Sequence, residues 1–438
     1  MSQQPSSQSV SQPHAGPPKK AGPIARREMG LAYVMLLPTF FMVFGIVLLP
    51  LLANFWISFK PVQLGDLRAA RPMANEQVKP KPSEAGQEVV LRYRIRNSSK
   101  KEVLQAVTFT DILPEGLDIT QLHENCTRAQ NKLTCAVGDI EGGTKLDLKM
   151  PATASQTYID NGIRARTSKP EFTYETENIL TNFKFSLENF QKIFSAPEFW
   201  SVLRVSLYYT VFGTAGALVL GLFAAQILNT AFKGRAILRG LFLFPYVAPV
   251  IAVAFAWILL LDAGPGGTFN AMLQQMGLIE GPINFLGKRA VDINIFGFSF
   301  GFPVALTTVI IFESWRYFPL AFLFILARMQ SISSEMYEAA EMDGATPLQQ
   351  FWYLSIPQLL GILSVLFLLR FIWTFNKFDD IFLLTGGAAG TRTLTVDVYE
   401  QAFAVANLGA GAAVAVIVFV VLLTFALLFF KFSPKDDG

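Results

Sequence analysis

Six stretches of this chain stay apolar over the roughly 20 residues needed to cross a bilayer: residues 31–59, 202–228, 237–261, 304–328, 355–375 and 412–432. Backbone N–H and C=O groups in hydrocarbon must be paired within the segment, so each stretch reads as a helix. The expected fold class is therefore an all-α polytopic membrane protein with six spans. Composition agrees: 52% of the 438 residues are apolar and 16% charged, against about a quarter charged in soluble domains. Pro38, Pro50, Pro245, Pro249 and Pro319 fall inside the spans and predict kinks. With only two His and two Cys, the composition argues against a zinc, haem or iron–sulfur centre. The net charge of +3 carries little information about partners.

Residues 1–30 are rich in Ser, Gln and Pro and carry Lys19, Lys20, Arg26 and Arg27 before the first span. This reads as a disordered cytoplasmic tail held inside by its positive charge, not as a signal peptide. An even number of spans returns the short tail at 434–438, with Lys435, to the same side. Lys233, Arg235, Arg239 and Lys431 then also fall inside.

Between the first span (31–60) and the remaining five (182–433) lies a different kind of sequence, residues 61–181. Alternating runs at residues 89–96, 106–110 and 145–149 are separated by turn formers at Pro114-Glu-Gly116 and Glu141-Gly-Gly143, which predicts an inserted β-sandwich. Tyr93-Arg-Ile-Arg-Asn97, Thr110-Asp-Ile-Leu-Pro-Glu-Gly-Leu117 and Gly138-Asp-Ile-Glu-Gly142 resemble the immunoglobulin-like repeats of bacterial surface proteins. The topology places this insertion outside the cytoplasm, where disulfides persist. Cys126 and Cys135 are thus a candidate bridge closing one hairpin, with two buried thiols as the alternative.

The stretch at 333–357 is polar and acidic although it joins two spans. Ser333 or Ser334 can cap a helix that carries Glu335 in its first turn. Gly344 is placed to end that helix, and Thr346-Pro347-Leu348-Gln349 restarts the chain with a capping-box pattern. These residues resemble the Glu-Ala-Ala (EAA) loop of ABC importer permeases. Glu338, Ala339, Ala340, Gly344, Leu354, Ile356 and Pro357 fall at that family's spacing, with Leu354 and Ile356 in reversed order. The resemblance implies that Glu338, Ala339, Ala340, Asp343 and Gly344 dock into an ATP-hydrolysing partner and couple to its movement.

Further segments resemble the carbohydrate-uptake branch of these permeases, the branch of the maltose transporter's larger membrane subunit. They are Phe185-Ser-Leu-Glu-Asn-Phe190, Phe244-Pro-Tyr-Val-Ala-Pro249, Leu384-Thr-Gly-Gly387 and Tyr399-Glu-Gln-Ala-Phe403. Helical periodicity separately places Arg370, Trp373, Thr374 and Lys377 on one stripe, an aromatic surface beside hydrogen-bonding groups suited to a sugar ring. For Lys377 an interfacial residue pairing with Asp380 is the other reading, and Glu313 and Arg316 can pair at i,i+3. The resemblance implies solute contacts at Arg316, Tyr317, Leu320, Arg370, Trp373, Thr374 and Lys377. The positive charges depart from the maltose pattern. They point either to an acidic or phosphorylated glycoside or to neutralisation by Glu313, Asp379 or Asp380.

No catalytic centre is present in the sequence. Gly281-Pro-Ile-Asn-Phe-Leu-Gly287-Lys288-Arg289 has one residue too many for a phosphate-binding loop and lacks its Ser/Thr. The expectation is a non-catalytic permease subunit in a bacterial inner membrane, with ATP and magnesium bound by the partner ATPase. Its partners would be a second permease, an ATPase dimer, a solute-binding protein, a sugar or glycoside, and membrane lipid, with no nucleic acid. The alternative is an ion-driven secondary transporter. That reading needs an ionisable relay, for which Glu313 and Arg316 are the candidates, and inverted repeats, which are not evident.

Overall fold

The computed structural model describes residues 23–160, 169–264, 266–295 and 298–432. The predicted tails lie outside these residues from 1 to 22, with Lys19 and Lys20, and from 433 to 438, with Lys435. Residues 23–30, predicted as tail, are already helical: the first helix begins at Pro23, where a proline at the first turn is favourable. The chain forms two compact units, Met1–Asn54 and Phe55–Gly438. Within the first, the large apolar side chains from Leu31 to Leu52 are mostly exposed, as expected of a lipid-facing span.

Among the described residues five helices are long and apolar enough to cross a membrane: Glu28–Ser58, Pro197–Asn229, Val304–Gln330, Pro347–Phe375 and Leu408–Phe432. Two of them relieve a proline in the same way. A π-helical turn, Phe44–Leu48 or Phe351–Ser355, stands one residue ahead of Pro50 or Pro357 and absorbs the missing N–H. Pro319 sits inside an unbroken helix.

The predicted span at 237–261 is not one helix. It is built from Arg235–Phe242, Phe244–Val247 and Val250–Leu260, and turns through 92° between Val247 and Val250. Pro249 cannot donate to the ladder and drives Ala248 to φ −63°, ψ 142°, an extended conformation. The sequence predicted a kink there, and the structure shows a right-angle break. A hairpin at Val291–Ile295 and Phe298–Phe302 follows, which the sequence reading missed.

Pro197–Asn229 lies along Val304–Gln330 at close range because small residues line the crossing. Gly213, Ala217 and Gly221 recur every fourth residue and are all buried, the small-xxx-small pattern of tight membrane helix pairs. A Cβ on Gly221 would stand 2.7 Å from Ala321 Cβ and 2.8 Å from the Phe322 backbone N.

Between the first two spans, eight strands among the described residues form two four-stranded antiparallel sheets. The first holds β1 (Pro72–Lys79), β2 (Gln87–Asn97), β7 (Lys145–Ala154) and β4 (Leu117–Ile119), in the order β1-β2-β7-β4. The second holds β5 (Cys126–Ala129), β6 (Lys132–Ile140), β3 (Leu104–Ile112) and β8 (Glu171–Thr176), in the order β5-β6-β3-β8. Val89, Leu91, Tyr93 and Ile95 alternate inward on β2 and join Val107, Phe109, Leu133 and Met150 in one core. Tyr93 donates at 2.7 Å to Asp111 inside it. Cys126 and Cys135 are register partners on β5 and β6 and form a disulfide.

Three segments of the second unit are laced together at the base of these sheets. Asn189 Nδ2 donates to Ser58 O and Lys60 O at 2.9 and 2.8 Å, Gly409 N to Val62 O at 2.9 Å, and Leu64 N to Ala406 O at 2.8 Å. Lys60, fully buried, donates to Asn182 O and Oδ1 and lies over the Trp56 and Phe185 rings.

The helix crossing makes a direct prediction. Gly221→Val should lower thermal stability by about 1–3 kcal/mol through overpacking against backbone. Gly361→Ala, at a helical position with nothing within 4 Å, should be neutral or slightly stabilising. Equal stability of the two variants in detergent would contradict the packing.

Candidate functional site

The interior of the second unit is organised by a carboxylate. Glu313, on Val304–Gln330, is fully buried. Arg370, on the Pro347–Phe375 helix, donates from Nη2 to Glu313 Oε1. Thr374 Oγ1 donates to the same oxygen at 2.9 Å and accepts from Arg370 Nη2 at 3.0 Å. Tyr209 OH, from Pro197–Asn229, donates to Glu313 Oε2 at 2.9 Å. Three helices thus meet on one carboxyl side chain, each contributing at least one polar contact. Gly213 makes room for it: a Cβ there would come within 2.9 Å of Glu313 Cγ.

A second group lies one helical turn away. Arg316 donates to Pro245 O at 3.2 Å and to Ala248 O at 3.1 Å, the carbonyls left open where the broken span turns. Its Nε stands 3.9 Å from the buried Asp380. Lys377 Nζ lies 3.9 Å from both Asp379 and Asp380. Arg316, Arg370 and Lys377 all approach the Tyr317 ring, at 5.6, 4.4 and 4.3 Å from its centroid, where the π-face favours cations.

The structure corrects the stripe. Arg370 and Thr374 are buried against Glu313, while Trp373, between them in sequence, is 50% exposed on the neighbouring flank of the helix. Lys377 is not on the helix, which ends at Phe375 with Asn376 as cap. The four residues therefore do not share one face. The alternative i,i+3 pairing of Glu313 with Arg316 does not form, because Glu313 takes Arg370 and Arg316 takes Asp380 and two carbonyls. Lys377 does approach Asp380, as the pairing alternative held. Tyr317 is nearly buried and Leu320 half-buried. Sequence reasoning missed Tyr209 altogether. It lies 104 residues from Glu313, and no local pattern connects them.

The polar loop is ordered as its punctuation predicted. Ser333 caps the helix Ser334–Met342 by accepting from Glu335 N, and Gly344 takes φ +80°. Thr346 and Gln349 form the capping box and Pro347 opens the next helix. Tyr337 OH and Ser355 Oγ, 2.8 Å apart, tie the short helix to the following span. None of residues Ser334–Met342 is buried. Met342, Leu348 and Tyr353 are 89, 68 and 77% exposed.

Apolar helices around a buried charge network, with a capped polar loop between two of them, define a membrane transport permease. Residues 217–435 match the family described as the binding-protein-dependent transport system inner membrane component, and the chain belongs to it. It is 36% identical over 252 residues to the inner membrane ABC transporter permease protein YcjO of Escherichia coli, covering 57% of this chain and 80% of that protein. Over 247 residues it is 33% identical to the trehalose/maltose transport system permease protein MalF of Thermococcus litoralis, covering 56% and 78%. Among solved structures it is similar to a chain of a bacterial ABC transporter involved in import of the acidic polysaccharide alginate. That similarity has a TM-score of 0.50 at 19% identity and covers 58% of this chain and 86% of that one. The fold is that of ABC importer permeases. The family match starts at residue 217, after the two-sheet region.

The network predicts a specific energetic pattern. Glu313→Ala leaves Arg370 buried without its partner and should cost about 3–5 kcal/mol. The paired change Glu313→Leu with Arg370→Met should recover most of that loss, since matched apolar replacements of buried ion pairs are often neutral. Denaturation of the three purified proteins checks this. A paired variant as unstable as Glu313→Ala would contradict it.

Proposed function

We propose that this chain is one of two permease subunits of a bacterial importer for a sugar, oligosaccharide or related glycoside. The observation that carries the reading is the capped loop. A cytoplasmic motor needs a rigid handle, and here a short helix with fixed ends presents Glu338, Ala339, Ala340, Asp343 and Gly344 beside the exposed Met342. An ATPase dimer binding ATP and magnesium would take this handle, and a solute-binding protein would deliver the solute on the opposite side. In this orientation 1–30 and 434–438 are cytoplasmic and 61–181 is extracytoplasmic. The carbohydrate class is supported by relatives named for trehalose/maltose transport and for multiple sugar-binding transport.

Within the predicted solute set, Trp373 has the large exposed ring that can stack on a sugar. Leu320 flanks the path, and Tyr317, Arg316, Arg370, Thr374 and Lys377 hold the surrounding shape through the two charge groups. The secondary-transporter reading loses its relay in this arrangement, because Glu313 is committed to Arg370, Thr374 and Tyr209.

Two measurements test this reading. Glu338→Lys and Gly344→Val should leave membrane insertion intact but weaken ATPase attachment, by about 2–5 kcal/mol where a charged interface pair is lost. Normal ATPase binding and uptake in both variants would remove the coupling role. In the reconstituted complex, Trp373→Ala should abolish or re-rank stimulation of ATP hydrolysis across neutral and anionic glycosides. An unchanged ranking would take Trp373 out of the path.

A further inference from the structure

The outer face of the first sheet carries far more positive charge than its fold requires. Arg92, Arg94 and Arg96 alternate outward along β2, and their register partners on β7 are Lys149, Asp147 and Lys145. Like charges thus stand directly opposite at two of the three rungs, an arrangement that weakens a sheet. Lysines are often placed on edge strands to block aggregation, but β2 and β7 are the two central strands. Asp147 is shared by Arg92 Nε at 3.1 Å and Arg94 Nε at 3.0 Å, and these two guanidiniums hold its carboxyl down at about 2. Arg96, Lys145 and Lys149 have no carboxylate partner among the described residues.

The charge continues toward the membrane part. A groove of about 620 Å³ is lined by Arg94, Arg96, Lys145 and Lys169, with Glu76 as its one carboxylate among the described residues, and shares Met73 as a wall with a second of about 750 Å³. The second groove is lined by Arg68, Arg71, Lys100 and Lys101 against a single carboxylate, Asp66, and reaches Ala406, which bonds to the base of the insertion and precedes the last span. The basic surface is therefore a track from the sheet to the permease, with rungs about 6.7 Å apart along β2.

We infer that this face binds a linear acidic oligosaccharide, one bearing a carboxylate on each or alternate sugars, on its way to the importer. The inference rests on the carbohydrate reading above and names the charge of the solute. A ladder of guanidinium and ammonium groups matches a polymer with regularly repeated carboxylates, and arginine forks recognise carboxylates in bidentate fashion. Among the described residues the face has no aromatic anchor at its centre, only Asn75, Gln77 and Met73 alongside on β1, so it lacks the apolar core of a protein interface.

The experiment uses the full-length chain in nanodiscs of uncharged lipid, with hexagalacturonate as probe and maltohexaose as neutral control. Saturable binding of hexagalacturonate, absent for maltohexaose and weakened by salt, is expected. Arg94→Ser, Arg96→Ser and Lys145→Ser combined should weaken it roughly tenfold per lost contact. Lys132→Ser, exposed on the other sheet, should leave it unchanged. All these positions are on the surface, so folding is spared, and an unchanged melting temperature verifies this. Equal affinity in the triple variant, or equal binding of maltohexaose, would overturn the proposal. So would failure of hexagalacturonate to bind while an acidic protein or anionic vesicles do. If other glycosides still stimulate ATP hydrolysis in that case, the importer reading stands and only the acidic class is lost.

Discussion

The membrane part of this protein depends on one buried ion pair. Glu313 and Arg370 are both out of solvent, where an unpaired charge is not tolerated, so whatever brings the three central helices together must bring these side chains together. Tyr209 and Thr374 use the remaining carboxylate positions, and the glycines at 213 and 221 let the backbones come close enough for the contacts to form. Such a junction has a defined geometry where a purely apolar one could slide. That suits helices that move as rigid bodies, as the proposed importer requires.

The second charge group extends the same logic to the broken span. Pro249 frees carbonyls that lipid cannot satisfy, and Arg316 answers two of them. Its charge is then answered by Asp380, from the short helix Asp379–Thr385 beyond the fifth span. The break, the arginine and the aspartate are one solution to a single backbone problem. The proposed solute path then falls to residues on the other flank, with Trp373 foremost.

Legibility in the sequence followed the range of the interaction. The loop at 333–357 was readable to the residue, because a cap, a left-handed glycine and a capping box act within four positions. The strand runs were readable because inward and outward residues alternate along one strand, as from Val89 to Arg96. The right-angle turn at Pro249 was readable only as a kink, since the arginine that takes the carbonyl of Ala248 there, Arg316, is 68 residues away. The stripe failed for the same reason. Periodicity set Arg370, Trp373 and Thr374 close together on the helix, but the partner that pulls Arg370 and Thr374 inward is 57 residues distant for Arg370. The hairpin at Val291–Phe302 gave no usable signal, as its apolar residues do not stand out beside adjoining spans.

The central claim is that the buried charges shape the permease while Trp373 faces the solute. Labelling of single cysteines in the assembled, transporting complex tests it most directly. Trp373→Cys should react with a hydrophilic maleimide and be protected by solute, and Thr374→Cys, the next residue in the chain, should stay unreactive throughout. A reactive, solute-protected thiol at 374 with a silent one at 373 would contradict the account.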